Sequence, residues 1–276
     1  MRRFKVNPAI MLLIVLSVGV GCSKFRKVQK SGDWNMKYDA AIEYYEEGDY
    51  NKATMLFEDI LPIIRGTAEA ELGNFYLAYS YFHQRQYILS AHSFSEFVRI
   101  YGRSEYALEA AYLHAYSLYK QSPSYQLDQT VTYEAIAAMQ NFINKNPTTE
   151  YAQEGDKIID QMQVKLERKA YEQCKLYHKI RRYKSALVVF ENFKKDFPDS
   201  KYREEVSFLQ IETEYDLAKQ SIPSKQEERY QSTIDFYLAF LDKYPNSKFI
   251  KPAEKMYAES IEEITKFAQK RKQSSK

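Results

Sequence analysis

The sequence predicts an all-α protein, an array of helix-turn-helix repeats, on three observations. The first is a recurrence. Phenylalanine stands nine residues before Tyr106, Tyr151, Tyr202 and Phe249, as Phe97, Phe142, Phe193 and Phe240. Twelve residues before come Phe94, Met139, Phe190 and Tyr237, and sixteen before come the small residues Ser90, Ala135, Ala186 and Thr233. Positions three and four apart share a helix face, so each set marks one buried stripe. The second observation is a repeated stop. Phe197-Pro198-Asp199-Ser200 has the form of Tyr244-Pro245-Asn246-Ser247 and, more loosely, of Asn146-Pro147-Thr148-Thr149. Proline ends a helix, and the hydroxyl that follows can accept from the free N–H groups of the next one. The third is composition: 15% aromatic residues, 25 of them Tyr, with only 8 Gly in 276 residues, enough to build a large helical core and to exclude disorder for most of the chain.

A small residue on one helix opposite large aromatics on its neighbour lets two antiparallel helices pack closely, the arrangement of tetratricopeptide-like repeats. The closing aromatics lie 45, 51 and 47 residues apart, longer than the usual period of about 34, so the units have long helices or insertions. The expectation is a right-handed superhelical array of about five such repeats with a capping helix.

Taken in order, residues 1–21 read as a lipoprotein signal peptide: Arg2, Arg3 and Lys5, then an apolar run from Ala9 to Val20, then Gly19-Val20-Gly21-Cys22. The apolar run is too short to span a bilayer comfortably, and Cys22 is placed to become the acylated first residue of the mature chain. Residues 22–36 form a tether, polar and basic with Lys24, Arg26, Lys27 and Lys30. Residues 37–164 hold repeats one to three. The first carries Tyr44, Tyr45, Gly48, Tyr50, Ala53 and Phe57 in register, with Gly48-Asp49 as its turn, but ends in Pro62-Ile63-Ile64-Arg65-Gly66. The second has Gly102 where later units have proline, and the third is interrupted at Gln121-Ser122-Pro123-Ser124 by a surface loop. After Tyr151 no proline occurs until Pro198, which predicts a helix of roughly 25 residues. Residues 165–267 hold repeats four and five, with a loop at Ser221-Ile222-Pro223-Ser224, and a cap helix from Pro252 to Phe267. Residues 268–276 read as a frayed basic tail.

The formal charge of +3 comes from the leader, since without Arg2, Arg3 and Lys5 the chain has 37 basic and 37 acidic residues. That balance speaks against nucleic acid as a partner. Four His residues show no metal-ligand spacing. Cys174 and His178 are the single close pair, read as a buried thiol beside a surface imidazole. No phosphate loop, nucleophile elbow or glycosidase-like carboxylate pair is present, so neither an enzyme, a cofactor nor a metal site is expected. The first helices of repeats two and three carry more aromatics than one buried stripe needs. Tyr76, Tyr79, Phe82, Tyr112, Tyr116 and Tyr119 are therefore candidates for a groove that receives an extended chain.

Together the Gly19–Cys22 motif and the repeats resemble the BamD family, the lipoprotein of the outer-membrane β-barrel assembly machinery. The resemblance covers roughly Tyr38 to Phe249. It is strongest from Ser122-Pro123-Ser124-Tyr125 through Glu134-Ala135-Ile136, Asn146-Pro147-Thr148-Thr149-Glu150-Tyr151-Ala152 and Lys165-Leu166 to Phe197-Pro198-Asp199-Ser200. It implies a non-enzymatic scaffold at the outer membrane, facing the periplasm and lipid-anchored through Cys22. Its carboxyl-terminal half would dock the periplasmic domains of the barrel-forming partner, and its amino-terminal half would meet unfolded outer-membrane protein. Rival readings are a periplasmic repeat adaptor in division or wall synthesis, and a glycan-binding lipoprotein, which would need larger inserted loops than this chain has.

Overall fold

The computed structural model describes residues 24–274, and the expected signal peptide and Cys22 lie outside them. Among the described residues there is no strand. After a short helix at residues 24–29 come α1 Trp34–Glu46, α2 Tyr50–Ile60, α3 Ala68–His83, α4 Tyr87–Ile100, α5 Ala107–Gln121, α6 Thr130–Lys145, α7 Glu150–Lys179, α8 Tyr183–Asp196, α9 Arg203–Lys219, α10 Pro223–Lys243 and α11 Ile250–Ser274. The described residues divide into two compact units, one up to Met162 and one from Gln163, with the division inside α7. In each unit successive helices pack on one another, and alternate helices also meet, α1 with α3 in the first and α9 with α11 in the second.

The stripe is buried throughout. Phe97, Phe142, Phe193 and Phe240 are at most 4% exposed, and Phe94, Met139 and Phe190 are fully enclosed. Ser90, Ala135, Ala186 and Thr233 are fully buried too, so a larger side chain there would collide with the neighbouring helix. The first repeat uses the same three-place pattern, Ala53, Phe57 and Ile60, all enclosed.

Three of the turns between repeats share one hydrogen-bond scheme, while at the turn before α7 the Thr149 hydroxyl accepts instead from the N–H of Ala152 at 3.2 Å. The hydroxyl oxygens of Ser200 and Ser247 accept from the backbone N–H of Tyr202 and Phe249, each at 3.0 Å. Ser104 accepts from the N–H of Tyr106 at 3.1 Å, although Gly102 stands where proline was expected. The hydroxyl therefore fixes this turn, and proline is optional. Within repeats the turn is closed by a residue in the left-handed region, Gly48 (φ 79°), Arg85 (φ 60°) or Arg181 (φ 56°). The N–H of each donates three residues back, to Tyr45, Phe82 and His178, and the following N–H reaches Tyr44, Tyr81 and Tyr177.

Two elements differ from the sequence reading. Residues 24–29 are helical rather than a loose tether, with Val28 buried and Phe25 edge-on to Tyr44 at 5.7 Å. Two apolar residues three apart suffice to dock this short helix on the first repeat. At the other end α11 continues through the expected basic tail, and Arg271 pairs with Glu227 at 2.7 Å. The expected long helix runs 30 residues, Glu150–Lys179.

The loop after α5 is held by Gln129, which is buried. Its amide donates to the carbonyls of Ser124 (2.8 Å) and Leu127 (3.0 Å), while its carbonyl oxygen accepts from Thr132.

Candidate functional site

In the first unit, aromatic side chains from α1, α3 and α5, with Tyr50 and Tyr87 at the starts of α2 and α4, meet in one unbroken series of ring contacts. Tyr45 lies against Tyr76 at 4.4 Å between centroids and edge-on to Tyr50 at 5.6 Å. Tyr50 stacks on His83 at 4.3 Å with planes 10° apart, and Tyr79 stacks on the same imidazole at 5.8 Å. Phe82 touches His83, Tyr87 and, at 5.9 Å, Tyr116. Tyr116 continues to Tyr112 at 5.6 Å and Tyr119 at 5.7 Å. The helical spacing produces this, because residues three or four apart on each first helix form one ridge and neighbouring first helices set their ridges side by side.

Five of the six candidates, Tyr76, Tyr79, Phe82, Tyr116 and Tyr119, are half-buried and keep part of their surface open. Tyr112 is only 5% exposed, wedged against Tyr151 at 4.6 Å and Phe142 at 5.7 Å. It is a core residue and is removed from the groove set. Tyr45, Tyr50, His83 and Tyr87 belong to the surface and were missed. A signal for them existed, since Tyr45 and Tyr50 flank Gly48 at the same offsets as Phe82 and Tyr87 flank Arg85.

Polar groups edge the rings. Tyr79 donates to the Glu109 carboxylate, and burial together with that bond pushes its ionisation upward. His83 is exposed at its edge, and partial desolvation among the rings lowers its pKa from the usual value. The Lys120 ammonium lies 4.8 Å from the Tyr116 ring centroid and 5.7 Å from that of Tyr119. Tyr119 donates to Gln161 at 2.8 Å. Beside these two tyrosines opens a cleft of about 470 Å³, lined also by Glu150, Glu154, Lys157 and Gln161. Ring faces next to amide and carboxylate acceptors suit an extended polypeptide, whose aromatic side chains can stack while its backbone N–H groups find acceptors.

Between repeats, two glutamine side chains carry a bond the sequence did not disclose. The Gln84 amide donates to the Tyr50 carbonyl at 3.1 Å and to the Thr54 hydroxyl at 2.7 Å. Gln121 donates to the Tyr87 carbonyl at 3.1 Å. Each ties the end of one first helix to the second helix of the preceding repeat.

Cys174 is fully buried, and His178 turns from it to the Thr213 hydroxyl at 2.9 Å and toward Glu212 at 3.4 Å. Among the described residues no three His, Cys, Asp or Glu side chains are grouped to hold a metal, and no helix is long and apolar enough to cross a membrane.

The chain is 24% identical over 172 residues to the outer membrane protein assembly factor BamD of Caulobacter vibrioides, covering 60% of this chain and 56% of that protein. It thus spans little more than half the length of that relative. Among solved structures, a protein of Podosopora anserina with nearly identical TPR-like repeats is 12% identical, covering 77% of this chain and 97% of that one, with a TM-score of 0.32. A thermophilic TPR protein of Thermus thermophilus is 13% identical, covering 83% of this chain and 99% of that one, with a TM-score of 0.31. The family YfiO, described as outer membrane lipoprotein, matches residues 31–219, and the chain belongs to that family.

Proposed function

We propose that this protein is a non-enzymatic scaffold of outer-membrane β-barrel assembly, anchored by acylated Cys22 and facing the periplasm. Residues 37–164 receive unfolded outer-membrane protein, and residues 165–267 dock the periplasmic domains of the barrel-forming partner. The observation that carries the reading is the continuous aromatic surface on the first unit. Outer-membrane strands alternate apolar and polar side chains and carry aromatic girdles at both membrane interfaces, and a row of half-open rings is complementary to such a segment. Family membership supports the setting, and the likeness to an assembly factor supports the role.

The test is affinity purification of the full chain from detergent-solubilised envelopes, with the bound proteins identified. Co-purification of a barrel-forming outer-membrane protein with periplasmic domains is expected. Recovery of division or wall-synthesis proteins in its place would overturn the reading.

A further inference from the structure

The short helix at residues 24–29 is amphipathic, and one of its faces has no partner among the described residues. Phe25 and Val28 pack on the first repeat, Phe25 against Tyr44 and Val28 within the cluster around Ala40, Ala41 and Tyr44. At 100° per residue, Arg26, Lys27 and Lys30 centre on the face opposite Phe25 and Val28. All three are exposed, and none forms an ion pair among the described residues. Lys24, to one side, is held by Glu43 at 2.9 Å. Of the acids on the first repeat, Asp33 caps α1, Asp49 caps α2 and pairs with Lys52, and Glu47 acts on Lys24 rather than on the outward cations. The three cations thus face outward from a helix that begins two residues after Cys22 in the sequence.

We propose that this basic face lies on the anionic headgroups of the bilayer that holds the amino terminus, so that the first repeat is seated on the membrane rather than hung from it. The proposal rests on the anchoring of the amino terminus read above. A loose tether would let the domain sample all orientations. A docked helix leaves only Ser23 between it and Cys22, which keeps the three cations within about a Debye length of the headgroups, roughly 8 to 10 Å. Each such cation favours the seated arrangement by about fivefold on an anionic surface and gives nothing on a zwitterionic one.

Trp34, the single tryptophan, follows this helix and packs on the same cluster, so it reports the seating directly. The full chain, isolated from envelopes, is reconstituted into vesicles of phosphatidylcholine alone or mixed with phosphatidylglycerol, each with a lipid carrying a nitroxide on its headgroup. Quenching of Trp34 is expected to be about twofold stronger on the anionic vesicles and to fall to the zwitterionic level in high salt. R26Q/K27Q/K30Q should remove the difference. K184Q/K251Q/K270Q, the same change in charge on exposed lysines elsewhere, should leave it intact. Equal quenching on both lipids, or an unaltered difference in R26Q/K27Q/K30Q, overturns the proposal, as does failure of the protein to float with anionic vesicles. The mass of the amino-terminal peptide reads acylation of Cys22 separately. A peptide without acyl chains, with the quenching pattern intact, refutes the acylation and upholds the seated face.

Discussion

The ring of Tyr202 lies flat on the ring of Tyr171, with centroids 4.0 Å apart and planes 11° apart. Tyr171 sits on the first helix of one repeat, and Tyr202 precedes the first helix of the next. Tyr151 stacks in the same way on Tyr112, and Phe249 on Phe208, both with centroids 4.6 Å apart. Tyr106 lies tilted on Phe75 at 4.7 Å. Each of these closing aromatics therefore fastens one repeat to its successor. The Arg168 guanidinium donates to the Tyr202 hydroxyl at 3.1 Å, over the stacked pair.

Tyr202→Ala should destabilise the protein by about 2 to 3 kcal/mol, the sum of lost ring burial and stacking for a half-buried side chain. Tyr202→Phe keeps the stack and loses only the bond from Arg168, so its cost should stay near about 1 kcal/mol. Urea titration followed by circular dichroism separates the two, and equal losses would show that the hydroxyl rather than the ring matters.

Phe193→Ala removes an enclosed ring from the stripe and should cost about 3 to 5 kcal/mol, read as a fall in the urea midpoint. A midpoint unchanged from wild type would mean that the stripe does not hold the repeat together.

At the turn inside the first repeat Gly48 is left-handed, and at the same place in the fourth Arg181 is too. Gly48→Ala is expected to cost roughly 1 kcal/mol, because a Cβ is disfavoured there. Arg181→Gly should be neutral or gain a few tenths of a kcal/mol, the released strain set against the added freedom of the unfolded chain. Differential scanning calorimetry checks the opposite signs.

Burial pushes the Cys174 thiol up to about 12, so the folded protein should resist a thiol reagent at about pH 8. The raised value also sets a direction for stability. The thiol contributes fully below its ordinary pKa of 9.0, and that contribution is lost as pH climbs toward about 12. Burial raises the tyrosine hydroxyls of Tyr45 and Tyr79 in the same sense, so unfolding free energy should decline steadily above about pH 9. Unfolded at the same mildly alkaline pH, a chain acylated at Cys22 should release one reactive thiol, and an unacylated one two, by Ellman titration.

For the aromatic surface, Tyr76→Ser, Tyr116→Ser and Tyr119→Ser should each weaken binding of a peptide from the last strand of an outer-membrane protein by about 1 to 2 kcal/mol. Docking of the barrel-forming partner should be unchanged. Fluorescence anisotropy for the peptide and co-purification for the partner provide the two readouts, and loss of both together would dissolve the division of labour.

The sequence disclosed the stripe because burial there is decided by spacing alone: Phe97, Phe142, Phe193 and Phe240 recur at a fixed count from the next closing aromatic. It hid the helix at residues 24–29, where six residues with two apolar members are too few for a period to show. The glutamine bonds of Gln84 and Gln121 were hidden as well, because an amide that bridges helices 30 or more residues apart leaves no local pattern. The aromatic surface was half legible. Surplus rings on α3 pointed to it, but the separation of Tyr112 from Tyr116 depends on Tyr151, which arrives from α7 and covers only the first of them.

The serine hydroxyl that recurs at positions 104, 200 and 247 has a consequence for how such a chain can lengthen. Since the hydroxyl carries the turn whether glycine or proline stands before it, a duplicated segment copied from one of these serines to the next would bring a whole junction with it, the accepting oxygen and, two residues on, the closing aromatic. The gene can therefore grow or shrink by whole units without inventing a new seam. An engineer wishing to splice a guest repeat into this protein should cut between the serine's predecessor and the serine, so that each hydroxyl travels with the aromatic whose N–H it accepts.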